Sequence, residues 1–486
     1  MKLSTSSLVL QAYAWLAIPL IIWIAAWLRP LISIPLLLAI GAVLVYIFTR
    51  PKEELQPQDL KAVSIDTKYF ISLLCILGLV LISGIGGYMY QNFGDHVWRN
   101  AVYHQLVVNP WPVNLGTEAE PSVLCYYFAF WLPAALTAKI FGAEAGWMMQ
   151  TLYAFWGMAI VISFLFARFG GRARLLIVAL LILFSGWDMA VFLIADPDNF
   201  WANPTFQGLM VNKELSSYFW HSNSIYTNLG NIYNSATIAI VGMTLMYFTR
   251  QNKKLLIFAY SLMFLSAPIP CTGLLPVMAV WTLLDLRRTV TWQNAIGILI
   301  FIAVGLFFLS NNSPKESLGF PSIWKMAGLF AVFFIFEFGI YLPFIWNNVR
   351  RDVLFWALAA IMMLAPFIVV GHSGDFGWRA GMPFSMYMLY KVMETAAEIK
   401  SWKSVRAVLF AIFLCIGAAE PVLSYALVAR RSQQTICHTH PADMPEVWPM
   451  RRDHLNTEIH NQPRGGYYDN FFADGQSVFT EYMMRK

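Results

Sequence analysis

Charge is scarce in this chain. Of its 486 residues only 12% are charged and 58% are hydrophobic, against about 25% charged and somewhat under half apolar in an ordinary soluble domain. A soluble globular protein is excluded. Cysteine is scarce as well: five residues make no disulfide framework, and all but Cys437 sit in or near apolar segments, where they read as small core residues. With 30 Gly and 24 Pro, neither collagen-like nor disordered composition is present. No small-x-small cleavage site follows the first apolar run, so that run reads as a retained span rather than a signal peptide. The net charge of +6 is assigned to loop orientation rather than to nucleic acid.

What is abundant is apolar runs long enough to cross roughly 30 Å of hydrocarbon, about 20 residues each. Clear runs are 8–28, 31–49, 70–90, 146–167, 295–310 and 353–371; 175–195, 326–346 and 407–427 each carry one acid, Asp188, Glu337 and Glu420; weaker runs are 229–249, 255–270, 272–286 and 380–398. Basic clusters at 50–68, 168–174, 250–254, 287–288, 350–351 and 400–406 all fall on the cytoplasmic side, as short loops prefer, only if 121–141 does not cross. Pro133 gives a reason for a break there. The segment 95–141 therefore reads as an outward-facing region that dips into the bilayer and returns. The expected fold is an all-α polytopic integral membrane protein of 13 spans with the N-terminus inside. A transmembrane domain covers 1–427, with outer loops at 92–141 and 196–228, and a small extracytoplasmic tail covers 428–486.

On that topology the polar segments collect on the outer face: 92–120, 196–228, the turn at 268–273, 311–322, 372–381 and the tail. In the first, Val97, Trp98, Ala101, Val102 and Leu106 recur at helical spacing while Asp95 and Arg99 share another face, the pattern of an interfacial amphipathic helix. Asp95 stands at its first turn, where a carboxylate serves as a helix cap or as a general base at head-group depth, a role contributing about 10²- to 10⁴-fold in rate. A lipid phosphate leaving group needs cations at the same level, and Arg379, His221, His372 and Arg99 are the candidates. Arg379 has the planar fork that matches phosphate; its structural alternative is an i to i+4 ion pair with Asp375. Asn223, Asn228, Asn231, Asn234, Tyr226 and Tyr233 lead into a span and offer the amides and rings that sugars use, or else an interfacial aromatic belt. Asp188 costs about 2.5–3.5 kcal/mol at a bilayer centre, less in the outer half, and is either a site residue or one end of an interhelical hydrogen bond. Glu337 and Glu420 carry less weight. Cys437, His438 and His440, with His454 and His460 scattered beyond them, read as solvated tail rather than a zinc site.

The Phe-Gly-Asp-His sequence at 93–96, the amphipathic helix after it, the Trp-Pro-Val within 109–114 and the aromatics Tyr126, Tyr127, Phe128, Phe130 and Trp131 resemble the first outer loop of GT-C superfamily glycosyltransferases. A second fragment, 371–383, resembles the Asp, Arg and Pro pattern near a late span of some bacterial members. The resemblance covers roughly 60 residues plus the overall layout of about a dozen spans. It implies an enzyme of the bacterial inner (plasma) membrane with its active site on the extracytoplasmic face. Asp95 would be the base, and on the physical reading given above Arg379, His221, His372 and Arg99 would bind the donor phosphate. His96, Asn223, Tyr226, Asn228, Asp375 and Asp188 would contact substrate. The donor would be a polyprenyl-phosphate-linked sugar, the acceptor an extracytoplasmic glycan, lipid or protein, and the surroundings membrane lipids. Paired carboxylates that some branches place in this loop are absent, so a divalent ion, Mg or Mn, stays open as a cofactor and no residues are assigned to it. The competing function is a transporter or flippase of a lipid-linked saccharide, which predicts an inverted repeat and broken midplane helices; no internal repeat is seen and the polar residues gather at one surface.

Overall fold

The first two helices, Thr5–Trp27 (α1) and Pro30–Thr49 (α2), contain no charged residue. In α2, Ser33, Leu36, Ile40, Val43 and Ile47 recur every three or four residues and are buried, while Leu31, Leu38 and Val45 on the other side are 88%, 70% and 60% exposed. A helix apolar on its packed face and on its free face has lipid, not water, as its solvent. The structure, a computed structural model, describes residues 2–49, 60–91, 95–115, 122–171, 173–195, 197–198, 224–311, 318–319, 323–370, 375–435 and 471–485. Among them six helices are long and apolar enough to span a membrane, or seven if Phe330–Glu337 and Gly339–Val349, bent by 40°, form one span. This is the architecture of an all-α membrane protein.

The chain continues through Thr67–Ile82 (α3), Asp95–Val108 (α4), Leu132–Phe141 (α5), Ala143–Phe169 (α6), Arg174–Leu183 (α7) and Asp188–Ala195 (α8). It goes on through Ile225–Thr249 (α9), Leu256–Phe264 (α10), Pro268–Leu284 (α11), Trp292–Leu309 (α12) and Ile323–Glu337 (α13). Leu342–Val349 (α14), Val353–Leu364 (α15), Asp375–Glu398 (α16), Val405–Gly417 (α17) and Ala419–Thr435 (α18) follow. Three two-residue antiparallel pairings stitch the ends: Lys2–Leu3 (β1) with Val63–Ser64 (β2), Val123–Leu124 (β3) with Phe472–Ala473 (β6), and Leu318–Gly319 (β4) with Val369–Val370 (β5). The core is aromatic. Trp15 and Tyr153 stack at 4.5 Å and exchange hydrogen bonds with each other's carbonyls, at 3.0 and 2.6 Å, which locks α1 against α6 and satisfies both polar tips in an apolar interior.

The described residues of the basic clusters gather at one end. There Arg174 pairs with Asp66 at 2.8 Å, Arg168 with Glu394 at 3.2 Å, and Lys391 with Asp352 at 3.0 Å. Thr291 reaches the Lys254 carbonyl, Arg406 the Phe344 carbonyl, and Asp66, Thr291, Asp352 and Ser404 cap the helices that start at this end. At the opposite end the turn after α1 receives residues 471–485: the Arg29 amide donates to the Met483 carbonyl and the Arg485 amide to that of Trp27, and the Arg29 guanidinium binds the carbonyls of Met484 and Glu481.

Residues 129–141 run alongside α6 and come back to the end they left. A short 3-10 turn, Ala129–Trp131, precedes α5, and the Phe130 ring lies 5.7 Å from Tyr153. Tyr153 is ten residues into α6, about 15 Å at 1.5 Å per residue. Lys139 then binds the Val107 and Asn109 carbonyls at the loop end. Pro133 does not break a helix; it occupies the first turn of α5, where the missing N–H costs nothing.

Several expectations need correction. The third apolar run stops as a helix at Ile82, because Gly84, Gly86 and Gly87 take positive φ and turn the chain. The run at 175–195 is two helices, α7 and α8, parted at Phe184–Trp187, where the Trp187 amide binds the Phe336 carbonyl. Asp188 thus opens a helix, where the dipole favours an acid, rather than sitting inside a span. Residues 268–273 are not an outer turn but the first turns of α11. Nor does α4 lie half in water: Arg99 on its supposed polar face is as buried as Val102 and Leu106.

Gly273 packs directly on α16: a Cβ there would come 2.1 Å from the Ala380 carbonyl oxygen, whereas one on Gly305 meets nothing within 4 Å. Gly273→Val is expected to lower stability by about 1–3 kcal/mol, the cost of overpacking, and Gly305→Ala to leave it unchanged, measured as thermal midpoints in detergent.

Candidate functional site

Four segments meet at the loop end. Helix α4 opens at Asp95 itself and carries His96 and Arg99, both 3% exposed. Helix α9 is capped by Ser224, whose hydroxyl accepts the Thr227 amide, and departs from helical geometry at Ile232 (φ −131°, ψ 37°). That break precedes Tyr233 and Asn234, which have 0% exposure. The segment after β3 brings Tyr126 and Tyr127, and α16 brings Arg379, 5% exposed.

A hydrogen-bond relay links them. Arg99 Nε donates to Asn234 Oδ1 at 3.2 Å, and Asn234 Nδ2 donates to the Tyr127 carbonyl at 3.2 Å. The Tyr127 hydroxyl in turn accepts from Arg379, whose guanidinium carbon is 5.4 Å from the Tyr127 ring centre. Tyr126 lies against Tyr127, ring centres 3.8 Å apart, and against Phe471 at 4.8 Å. Burial holds the Tyr126 phenol protonated, while the charges of both Arg99 and Arg379 act on it in the opposite sense. Beside this group the His96 ring is 5.6 Å from that of Tyr233, whose hydroxyl accepts from Trp131 Nε1 at 3.1 Å.

The chain also contains one short repeat, which amends the reading of it as free of repeats. Gly-Asp-x-x-Trp-Arg occurs at 94–99 and again at 374–379, and in both places the Asp is the first residue of a helix, α4 or α16. Asp and Arg at i and i+4 share one helix face. Both arginines of the repeat belong to the relay around the Tyr126–Tyr127 pair, Arg379 on the Tyr127 hydroxyl and Arg99 through Asn234.

No protein-family model, curated protein or solved structure matches this chain.

Of the residues singled out in the sequence, Arg99 and Arg379 come together, with His96 beside Arg99. Asn228 is spent on structure: its amide nitrogen donates to the Ser224 carbonyl at 2.8 Å and its oxygen accepts from Trp378 Nε1 at 3.0 Å. Glu420 accepts from Thr227 at 3.1 Å, and Glu337 is wholly buried against Gly186. His221, Asn223 and His372 lie outside the described residues, as do Cys437, His438, His440, His454 and His460 and the side chains of Asp95, Asp188, Tyr226 and Asp375. Among the described residues no three His, Cys, Asp or Glu gather as a metal-ligating group. In the sequence Asn234 stood only among the amides leading into α9 and Tyr127 only within the aromatic run 126–131, and neither was given a role of its own at the site.

Burial, and secondarily the neighbouring Arg99 charge, lowers the His96 pKa from 6.5 to about 3. The unfolded chain therefore takes up a proton that the folded chain refuses between pH 6.5 and 3, and stability falls as pH drops through that window. His96→Asn should flatten this dependence; thermal midpoints recorded between pH 7 and 4 for both proteins test it, and parallel curves would remove His96 as the cause.

Proposed function

We propose that the protein is a GT-C-type glycosyltransferase that moves a sugar from a polyprenyl-phosphate donor to an extracytoplasmic acceptor with inversion. On this reading the chain crosses thirteen times: the six long helices, the bent pair α13–α14, and α3, α7, α10, α11, α15 and α16, with 129–141 not crossing and the basic end facing the cytoplasm of a bacterial inner membrane. The observation that carries the reading is the meeting of Arg99 and Arg379, from two copies of one hexapeptide, at the Tyr126–Tyr127 pair. Two planar guanidinium groups held on buried amide and phenol partners suit a phosphate leaving group better than mobile surface cations would.

In the proposed step Asp95 takes the proton from the acceptor hydroxyl as its oxygen bonds to the anomeric carbon. The bond from that carbon to the phosphate oxygen breaks, and its electron pair leaves with the phosphate between Arg99 and Arg379. His96, kept neutral by burial, adds no competing positive charge. A second reading, a transporter of a lipid-linked saccharide, draws on one feature: the break at Phe184–Trp187 sets Gly186 against the fully buried Glu337, beside the bend between α13 and α14, as in folds with discontinuous midplane helices. It predicts movement of the donor with no covalent change.

Asp95→Asn is expected to insert and fold normally yet lose at least about a hundredfold in transfer rate, measured as label passing from polyprenyl-phosphate sugars to a lipid or glycan acceptor; near-normal turnover removes Asp95 from the mechanism. Arg379→Ala is expected to raise the KM for the donor far more than that for the acceptor, and equal loss of both would argue against a phosphate grip.

A further inference from the structure

At the basic end, far along α16 from Arg379, a cleft of about 590 Å³ opens between α9, α11 and α14. Arg250, Lys253 and Arg351 line it with Trp281, Asn347 and Tyr387. The cleft's one carboxylate, Asp352, is already occupied: it accepts from Lys391 at 3.0 Å, from the Tyr387 hydroxyl at 2.7 Å and from the Phe355 amide at 3.3 Å. Among the described residues none of the three cations takes part in an ion pair. Arg250 donates to the Tyr247 carbonyl at 2.7 Å and rests on that ring at 4.8 Å, and the Lys253 ammonium stands 4.9 Å from the centre of Trp281. Partial burial lowers the Lys253 pKa, against the weaker upward pull of Asp285, so its charge is partly stripped of water without a counter-ion in contact.

Other basic residues at this end differ. Arg168 and Arg174 are paired with Glu394 and Asp66, and Arg287 and Arg288 project from the surface, Arg288 near Asp285 at 3.8 Å. The three cleft cations are therefore more than loop-orienting charge: they converge on one concave surface with aromatic walls and two amide-bearing edges, the donor set that a phosphate oxygen takes. Its position at the end of the apolar helices puts it at head-group level.

We propose that this cleft is a second anion site, one that binds a phosphate group, carried either by the head group of an anionic phospholipid or by a soluble phosphate. The site is separate from the Arg99 and Arg379 centre and does not depend on the transferase reading.

The intact protein in nanodiscs tests it. Thermal midpoints are compared in pure phosphatidylcholine, in an equal mixture of phosphatidylcholine and phosphatidylglycerol, and in phosphatidylcholine with inorganic phosphate replacing chloride at constant ionic strength. The comparison is run for the natural chain, for Lys253→Gln with Arg351→Gln, and for Arg287→Gln with Arg288→Gln as a control at the same end. A rise of about 2–4 °C with phosphatidylglycerol that disappears in the cleft variant and persists in the control assigns the site to a lipid head group. The same pattern produced by inorganic phosphate alone assigns it to a soluble anion. Equal rises in all three proteins, or no rise in either arm, overturn the proposal. Should the double cleft variant fail to insert, Arg351→Gln alone, at an exposed side chain, carries the same comparison.

Discussion

Asn234 carries an obligation that the surrounding helices cannot escape. Its carboxamide is wholly buried and has one acceptor oxygen and one donor nitrogen to place; the oxygen takes Arg99 and the nitrogen gives to Tyr127. In an apolar interior a guanidinium or an amide left without partners costs several kcal/mol, so α4, α9 and the segment after β3 share one relative register. The departure from helical geometry at Ile232 turns the amide toward both partners at once. Tyr127 then extends the constraint to α16 through its hydroxyl, and two arginines distant in sequence end beside one pair of rings.

The two ends of the bundle solve the problem of polar groups differently. At the basic end, carboxylates answer cations directly and cap helices at the same time: Asp66 accepts the Tyr69 amide and pairs with Arg174, and Asp352 accepts the Phe355 amide and pairs with Lys391. At the loop end, the Asn234 amide takes Arg99 and the Tyr127 phenol takes Arg379.

Apolar runs made most of the helices legible, because a charge-free stretch of twenty residues admits few alternatives. The start of α4 at Asp95 was legible for a local reason, a cap-forming residue after Gly, whereas Pro133, read as a break in the middle of a run, heads α5 instead. What escaped was set by contacts between distant segments. Arg99 looked like the polar face of an interfacial helix because nothing local announces Asn234 waiting on α9. The break at Phe184–Trp187 falls in an unbroken apolar run, and only packing against Phe336 and Phe413 explains it. The site was legible as a list of candidate cations but not as a pair meeting at Tyr126 and Tyr127.

Phe471 covers Tyr126, and the strand beginning one residue later is the partner of β3. That partner is translated more than 300 residues after Leu124. Throughout the intervening synthesis β3 has a bare edge and Tyr126 has no roof, so membrane insertion of the helices and completion of the tyrosine pair are separate events in time. A nascent chain can be fully threaded through the bilayer and still be unfinished at the one place where its two arginines meet.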